Sequence, residues 1–350
     1  MTETNSQLQV EVPQEYQHSF SWADLVKQVR LDLFAKGVQT GYSTTYSWLA
    51  DQFGHFALGY ILTAESRFFS HDDAFWTLLI SSVGLGAFAV LEGLDYRAAA
   101  KDAAAAGLFP LRRADVIKDA GTAVWYFFSG MVIAAQTLVP GAWGVAVTIL
   151  ALFVNLLIAR WWLSRKMCFQ RADLPFILRL SDLRLTVARP ARSVAINGIT
   201  RFASLNGPWK HLLIVGSLQS GKTSLACAVG TEHTFQLGPA RYLTYLAFRQ
   251  IAQSGQDALS SKTRELWPWD KSNIVILDDI DLRSSGAVRR EPRELIDELR
   301  QLPNIDRLKK RRTIWVLSDA SQEEAWRLAI SHVLETDQIG IVELSSHIRK

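Results

Sequence analysis

Two short segments in the second half of the chain contain residue types that bind phosphate and magnesium. The first is GSLQSGKT at 216–223, which follows the apolar run at 211–215 and precedes a helical stretch. The glycines let backbone N–H groups turn inward around phosphate oxygens, and the N-terminus of the next helix favours their negative charge. In this pattern Lys222 reaches the β- and γ-phosphates, and Thr223 coordinates Mg²⁺. The predicted nucleotide contacts are Gly216, Ser217, Leu218, Gln219, Ser220, Gly221, Lys222, Thr223 and Ser224.

The second segment is IVILDD at 274–279, in which four apolar residues end in two acids. This pattern predicts a buried parallel strand that delivers carboxylates to the phosphate end of a sheet. Asp278 would then hold Mg²⁺ and Asp279 would orient the attacking water. Taken alone, the acids also fit an ordinary turn at a strand end, but the loop at 216–223 argues for the magnesium site. ATP and Mg²⁺ are the predicted ligands, with Thr223 and Asp278 as the metal residues.

The elements that must position these residues alternate between strands and helices. Besides the strands at 211–215 and 274–278, apolar runs at 241–245, 313–317 and 339–344 predict three more strands. Helical patterns at 246–253, 291–301 and 322–333 separate them. This alternation predicts a doubly wound α/β domain with a five-stranded parallel sheet.

The two motifs in this order resemble the AAA+ P-loop ATPases, particularly the DnaC/IstB-like branch, over about residues 195–345. The resemblance implies ATP as the nucleotide and places Ser318 at the sensor position, where it would contact the γ-phosphate or water. It thus implies a catalytic set of Lys222, Asp279 and Ser318. No N-K-x-D or T-K-x-D motif follows the Asp-Asp strand, so the sequence disfavours GTP.

Two departures from this family predict little turnover. The sequence ends six residues after the fifth predicted strand, so we expect no helical lid and no sensor-2 arginine. The second acid is Asp279 where typical AAA+ motors have Glu. A nucleotide-gated scaffold or switch therefore stands beside slow hydrolysis as an alternative function.

A basic run precedes the strand at 313–317. One of its members could act as an arginine finger in the site of a neighbouring copy. The run also fits a solvated face or a contact to lipid phosphates. A homo-oligomer or an unknown protein partner is therefore expected. No helix-turn-helix, zinc-finger or RNP pattern accompanies the basic residues, so the nucleic-acid signal is weak. The run comprises Arg307, Lys309, Lys310, Arg311 and Arg312.

The first half of the chain is apolar. Residues 120–159 contain no charge, and Pro140-Gly141 interrupts them at the centre. One helix of 40 residues would be about twice as long as a bilayer core is thick, so a helical hairpin is predicted. The segment 48–64 is the weakest candidate and also fits a re-entrant or interfacial helix. The sequence predicts an α-helical transmembrane bundle of about four spans, at 48–64, 74–91, 122–139 and 143–163.

Charge patterning predicts the topology. Residues 1–163 carry 10 Lys/Arg and 14 Asp/Glu, whereas residues 164–350 carry 28 and 20. The loop at 92–121 has five Lys/Arg, which places it in the cytosol by the positive-inside rule. The N-terminus and the nucleotide domain would then also be cytosolic. A bacterial inner-membrane protein is predicted, with a polar segment at 1–47, spans within 48–163, a basic linker at 164–194 and the NTPase domain at 195–350.

Six ionisable residues lie near the predicted inner ends of the spans. In this topology they approach one leaflet, where they could bind a divalent cation, relay protons or hold a lipid headgroup. They also fit ordinary interfacial residues. Their spacing resembles that of VanZ/YjdF-like small membrane proteins over about residues 48–139. A transport, metal or lipid site regulated by the ATPase domain is therefore a third possible function. The six are Asp51, His55, Glu92, Asp95, Asp115 and Asp119.

Overall fold

The chain divides into two compact units. The N-terminal unit lies within 20–106 and 110–166, and the C-terminal unit lies within 167–350 with parts of 1–19 and 107–109. The division falls close to residue 163, where the sequence predicts the end of the apolar half. A computed structural model describes residues 13–34, 44–106, 109, 113–136, 142–183, 189–217, 219–257, 260, 265–282, 289–317 and 322–344.

The described part of the N-terminal unit is helical. Ser21 and Asp24 form a reciprocal capping box at the start of the first helix, since each backbone N–H donates to the side chain of the other. The 1–47 segment therefore contains a helix that the sequence analysis did not predict. The helices are α1 (Trp22–Phe34), α2 (Thr44–Phe69), α3 (Ala74–Ala106), α4 (Arg113–Ala135) and α5 (Ala142–Arg171), the last of which continues past the unit boundary.

Two of these helices are long and apolar enough to cross a membrane, by length and composition. They are the stretch Ala74–Ala98 of α3 and the whole of α5. In the most apolar 18 residues of each helix, only 11% and 6% are buried, whereas the core helix of a soluble protein would be mostly buried. The shorter stretch, at 25 residues, measures about 37 Å and exceeds the roughly 30 Å of a bilayer core.

The predicted number of four spans is therefore corrected to two among the described residues. Helix α2 covers the predicted span 48–64, but polar and ionisable side chains lower its hydropathy. Helix α4 begins nine residues before the predicted span 122–139, and its first two turns are charged. Both elements are helices, as predicted, but neither is apolar enough to be a candidate membrane span. The predicted turn at Pro140-Gly141 lies outside the described residues.

Helices α2 and α4 pack closely through two glycines. A Cβ atom on Gly59 would lie 2.0 Å from the carbonyl oxygen of Phe127, and one on Gly130 would lie 2.0 Å from that of Phe56. Small residues at a crossing let helix backbones approach in this way, as in membrane helix pairs. Larger side chains at these two positions would separate the helices.

Two connections between the predicted elements are helical. The loop at 92–121 consists mainly of the end of α3 and the start of α4, because its alanines and charged residues favour helix once the apolar run has ended. The first residues of the linker 164–194 similarly belong to α5, which ends at Arg171. Part of that linker, 184–188, lies outside the described residues.

The C-terminal unit contains a five-stranded parallel sheet, as predicted. Its order is β2-β3-β4-β1-β5, so β4 separates β1 from β3. Observed and predicted boundaries agree within one residue at the paired elements. The strands are β1 (His211–Gly216), β2 (Ala240–Thr244), β3 (Ile274–Asp278), β4 (Arg312–Val316) and β5 (Ile339–Leu344). The helices are α6 (Arg189–Ala203), α7 (Lys222–Thr234), α8 (Tyr245–Ser254), α9 (Pro292–Arg300), α10 (Ile305–Lys309) and α11 (Glu323–Leu334).

Helices cover both faces of this sheet. Successive side chains of a strand point to opposite faces, so Leu213 and Val215 share one face of β1. That face forms a buried cluster with residues of α8, α9, α10 and α11. Helix α7 packs against β1, β2, β3 and β4. Every residue of β1 and β3 is buried, which fixes the two strand ends that carry the predicted site.

Candidate functional site

The predicted phosphate loop joins β1 to α7 at the carboxyl edge of the sheet. Because all five strands are parallel, the carboxyl ends of β1, β3 and β4 lie at this same edge. Strand β1 lies between β4 and β5. The chain connections run in opposite directions on its two sides, which is where ligands bind in open α/β sheets.

Two glycines let the loop adopt its conformation. Gly221 caps α7 with φ of 89°, a left-handed backbone that glycine adopts without strain. A Cβ atom on Gly216 would lie 2.5 Å from the carbonyl oxygen of Leu344 and 2.6 Å from Ser220 Oγ. The loop therefore packs closely against the end of β5 and onto itself. Ser217 and Gln219 are exposed, and Ser224 lies half-buried in the first turn of α7. Leu218 lies outside the described residues.

Lys222 is held inside this loop. Its Nζ donates to the carbonyl oxygen of Ser217 at 2.5 Å and to Ser220 Oγ at 3.5 Å. The residue is 8% exposed, and burial lowers the pKa of its ammonium group. Asp281, Asp278 and Asp279 act in the opposite direction on that pKa, since their carboxylates favour the cation. The lysine thus lies in the field of three acids at the end of β3.

Asp278 connects three elements. Its Oδ2 accepts hydrogen bonds from Thr223 Oγ1 at 2.9 Å and from the Tyr242 hydroxyl at 2.8 Å. Its Oδ1 accepts from the backbone N–H of Asp279 at 2.9 Å. Asp278 is almost fully buried, so these three donors replace the hydrogen bonds to water that its carboxylate loses on folding. The structure thereby brings together the two predicted metal residues, Thr223 and Asp278, which lie 55 positions apart in the sequence.

Tyr242 was missed by the sequence analysis. Burial, reinforced by the nearby Asp278, raises the pKa of the Tyr242 hydroxyl, so it stays a proton donor. The sequence does contain a signal for Tyr242. Successive side chains of the predicted strand 241–245 point to opposite faces of the sheet, so Tyr242 faces away from Arg241 and Leu243. Only the pairing of β2 with β3, with Thr244 opposite Asp278, shows which acid the tyrosine reaches.

Asp279 differs from its neighbour in exposure and backbone. It is exposed and has φ of 57°, a left-handed conformation that Asp tolerates better than most residues. Partial loss of water around its carboxyl group, together with the negative charges of Asp278 and Asp281, raises the pKa of Asp279, and Lys222 partly offsets this rise. Asp281, which the sequence analysis also missed, is almost fully buried. Ser318, the predicted sensor, lies outside the described residues.

The chemistry of this donor set fits Mg²⁺ with a nucleotide. Among the described residues no group of three or more His, Cys, Asp and Glu side chains could hold a metal ion by itself. Magnesium characteristically binds through one or two carboxylates together with substrate phosphates. A hydroxyl and a carboxylate 2.9 Å apart, beside a phosphate-type loop, match that requirement.

Three members of the basic run at 307–312 are held within the chain. Arg307 pairs with Asp270 at 2.5 Å, and Lys309 pairs with Glu335 at 2.7 Å. Arg312 donates to backbone carbonyl oxygens. These contacts argue against the three side chains as arginine fingers, since each would have to leave its partner.

The ion pairs described for the six ionisable residues of the N-terminal unit lie within α2 and between α4 and α5. Asp51 lies 3.6 Å from His55 within α2, whereas Asp115 forms a buried ion pair with Arg165 at 3.0 Å. Arg165 was assigned by sequence to the basic linker, and it neutralises the one fully buried acid of the set. Glu92 is half-buried, and Asp95 and Asp119 are exposed. Among the described residues no group of three or more His, Cys, Asp and Glu side chains could hold a metal ion, so nothing in this unit supports the divalent-cation alternative.

No known family model matches the chain, and no curated protein matches it at a significant level. The resemblance to AAA+ ATPases therefore rests on the motifs at 216–223 and 274–279.

Proposed function

We propose that this chain is a membrane-associated P-loop ATPase of the AAA+ kind. It binds Mg-ATP at residues 216–224 and 278, and binding or slow hydrolysis changes the state or assembly of the N-terminal helical module. The observation that carries the proposal is the 2.9 Å hydrogen bond between Thr223 and Asp278 beside a loop whose glycines permit backbone approach.

Each residue of the site has a task in this proposal. Backbone N–H groups of the loop hold the phosphates, and Lys222 leaves the Ser217 carbonyl to bind the β- and γ-phosphates. Thr223 and Asp278 would hold Mg²⁺, which neutralises charge that develops on the phosphates. Tyr242 orients the Asp278 carboxylate. Asp279 and, by the resemblance, Ser318 would position the attacking water.

The membrane part of the proposal rests on α3 and α5. Their apolar surfaces are exposed over the length of a bilayer core, which water would penalise. We propose that lipid covers them and that the nucleotide domain faces the cytosol, as the basic residues at 92–121 predict. A bacterial inner membrane and a homo-oligomer remain part of this proposal.

Nucleotide binding by the purified full chain in lipid tests it. Lys222→Ala should lower the affinity for ATP at least tenfold, because hydrogen bonds to charged groups contribute about 1.5–3 kcal/mol. Asp278→Ala should abolish the dependence of binding and turnover on Mg²⁺. Lys271→Ala, an exposed lysine of the same unit, is the matched control and should bind as the wild type does. Equal ATP affinity in the wild type and Lys222→Ala would contradict the proposal.

A nucleotide-gated switch is the second candidate, and Asp279 favours it. The Asp279 side chain is one methylene shorter than that of Glu, and the residue is exposed with a left-handed backbone conformation. A switch predicts tight Mg-ATP binding with less than one phosphate released per protein over an hour. If lengthening the acid restores water positioning, Asp279→Glu should raise turnover. Multiple turnovers by the wild-type chain would exclude the switch in favour of an ATPase.

A further inference from the structure

A cavity of about 360 Å³ lies at the opposite edge of the sheet. Lys210 precedes β1, Asn273 precedes β3 and Arg312 begins β4, so the cavity lies at the amino ends of these strands. A five-residue strand is about 17 Å long, which separates the cavity from the loop at 216–223. We call it the amino-end pocket, lined by Tyr16, Lys210, Asn273, Lys310, Arg311 and Arg312 with neutral neighbours.

Four cationic side chains line this pocket, and no acidic side chain of the described residues does. Arg312 is fixed there, because its guanidinium donates to the carbonyl oxygens of Trp209 at 2.9 Å and Leu205 at 2.6 Å. Carbonyl oxygens satisfy its N–H groups but leave its positive charge uncompensated. The pocket therefore concentrates positive charge that no carboxylate of the described residues neutralises.

Neighbouring cations on the same edge are neutralised. Lys309 lies 2.7 Å from Glu335 and 3.4 Å from Asp306, in an adjacent depression that also contains Asp337. By contrast, no described carboxylate lies within ion-pair distance of Lys210, Lys310 or Arg311. The Nε atom of Arg311 is buried without a hydrogen-bond partner, although burial of such a group is costly. Lys210 lines both depressions, whereas Lys310 and Arg311 line the amino-end pocket.

Two buried histidines report the same positive field. Burial, together with the positive charges of Lys210 and Arg312, lowers the pKa of His211 to about 3. Burial also lowers the pKa of His233 to about 4, with Arg312 again contributing. The positive charge of the pocket thus lowers the pKa of two histidines that do not line it.

We propose that the amino-end pocket binds a phosphate-bearing anion of the monoester or diphosphate class, through Lys210, Lys310 and Arg311. Such an anion carries two or more negative charges and several acceptor oxygens. A guanidinium fork and flexible ammonium groups match those oxygens, whereas a carboxylate would neutralise one charge only. The volume suits a ligand of this size. The phosphate can belong to a soluble compound or to a lipid headgroup.

Pyrophosphate binding to the full chain in detergent tests the proposal. The protein carries Lys222→Ala, so that the loop at 216–223 contributes little and the result is independent of the proposed ATPase function. We expect saturable binding by calorimetry that weakens with salt. Lys310→Gln, at an exposed position, and Arg311→Gln should each weaken it about tenfold or more. Arg293→Gln, an exposed arginine on α9, is the matched control and should leave it unchanged.

The source of the phosphate is distinguished in nanodiscs. If a lipid headgroup fills the pocket, phosphatidic acid should compete with pyrophosphate more than phosphatidylglycerol does at equal charge density. If the ligand is soluble, both lipids should act alike while pyrophosphate still binds. The proposal is overturned if pyrophosphate does not bind up to millimolar concentration, or if Arg293→Gln weakens binding as much as Lys310→Gln and Arg311→Gln do.

Discussion

Replacing Tyr242 by Phe removes one hydroxyl and leaves the ring in place. That hydroxyl donates to Oδ2 of the nearly buried Asp278 at 2.8 Å. Hydrogen bonds to charged groups contribute about 1.5–3 kcal/mol, and the lower end applies here because Tyr242 is half-buried and Thr223 still donates to the same oxygen. We therefore expect Tyr242→Phe to lower the free energy of unfolding of the C-terminal unit by about 1.5 kcal/mol.

The same substitution should weaken the magnesium site. Residues that orient a metal ligand typically change metal affinity by about 10–100-fold when they are removed. Titration of ATP with and without Mg²⁺ separates this effect from general damage. Tyr242→Phe should reduce the ATP affinity measured with Mg²⁺ about tenfold and change the affinity measured without Mg²⁺ far less.

Tyr16→Phe is the matched control for both measurements. The Tyr16 side chain is exposed, so losing its hydroxyl should change stability by less than about 0.5 kcal/mol. Denaturant unfolding monitored by the tryptophans of the C-terminal unit gives the stability difference. If Tyr242→Phe and Tyr16→Phe unfold alike and bind Mg-ATP alike, the hydrogen bond to Asp278 does not position the carboxylate and our reasoning is refuted.

Three further predictions concern other parts of the molecule. Gly59→Ala should destabilise the N-terminal unit by about 1–3 kcal/mol through overpacking, whereas Gly54→Ala on the same helix meets no atom within 4 Å and should have little effect in thermal unfolding. Asp115→Ala should lower the free energy of unfolding by about 3 kcal/mol because it removes the carboxylate that lies 3.0 Å from the buried Arg165, and adding Arg165→Met should recover most of that loss. For His211, whose pKa falls from 6.5 unfolded to about 3 folded, stability should be full above pH 6.5 and decrease as the pH falls toward 3. His211→Gln should flatten that decrease in unfolding curves measured at pH 7, 5 and 4, and an unchanged slope would refute the assignment.

The C-terminal sheet could be predicted from the sequence because its strands are short, apolar and separated by clear helical patterns. The parallel strands at 211–216 and 274–278 are buried on both faces, so their apolar runs are continuous. Their order could not be predicted, since nothing local encodes which strand lies between β1 and β3. Tyr242 and Asp281 were missed for the same reason: their roles depend on which neighbours the topology provides.

The helical half was predicted less well. An apolar run locates a helix but not its ends, since alanines and charged residues continue α3 and α4 beyond the apolar residues. The span count was too high because polar and ionisable side chains in α2 and the charged first turns of α4 lower the hydropathy of these helices. The six ionisable residues share helix faces by spacing alone. Their actual partners, such as Arg165 for Asp115, lie too far along the chain for spacing to reveal.

A structure of the lipid-embedded chain with Mg²⁺ and a non-hydrolysable ATP analogue tests the central claim most directly. We predict that the triphosphate lies along the backbone N–H groups of 219–223, with Lys222 against its terminal oxygens and the metal beside Thr223 and Asp278. A nucleotide bound elsewhere, with Lys222 still hydrogen-bonded to the Ser217 carbonyl oxygen, would contradict the account.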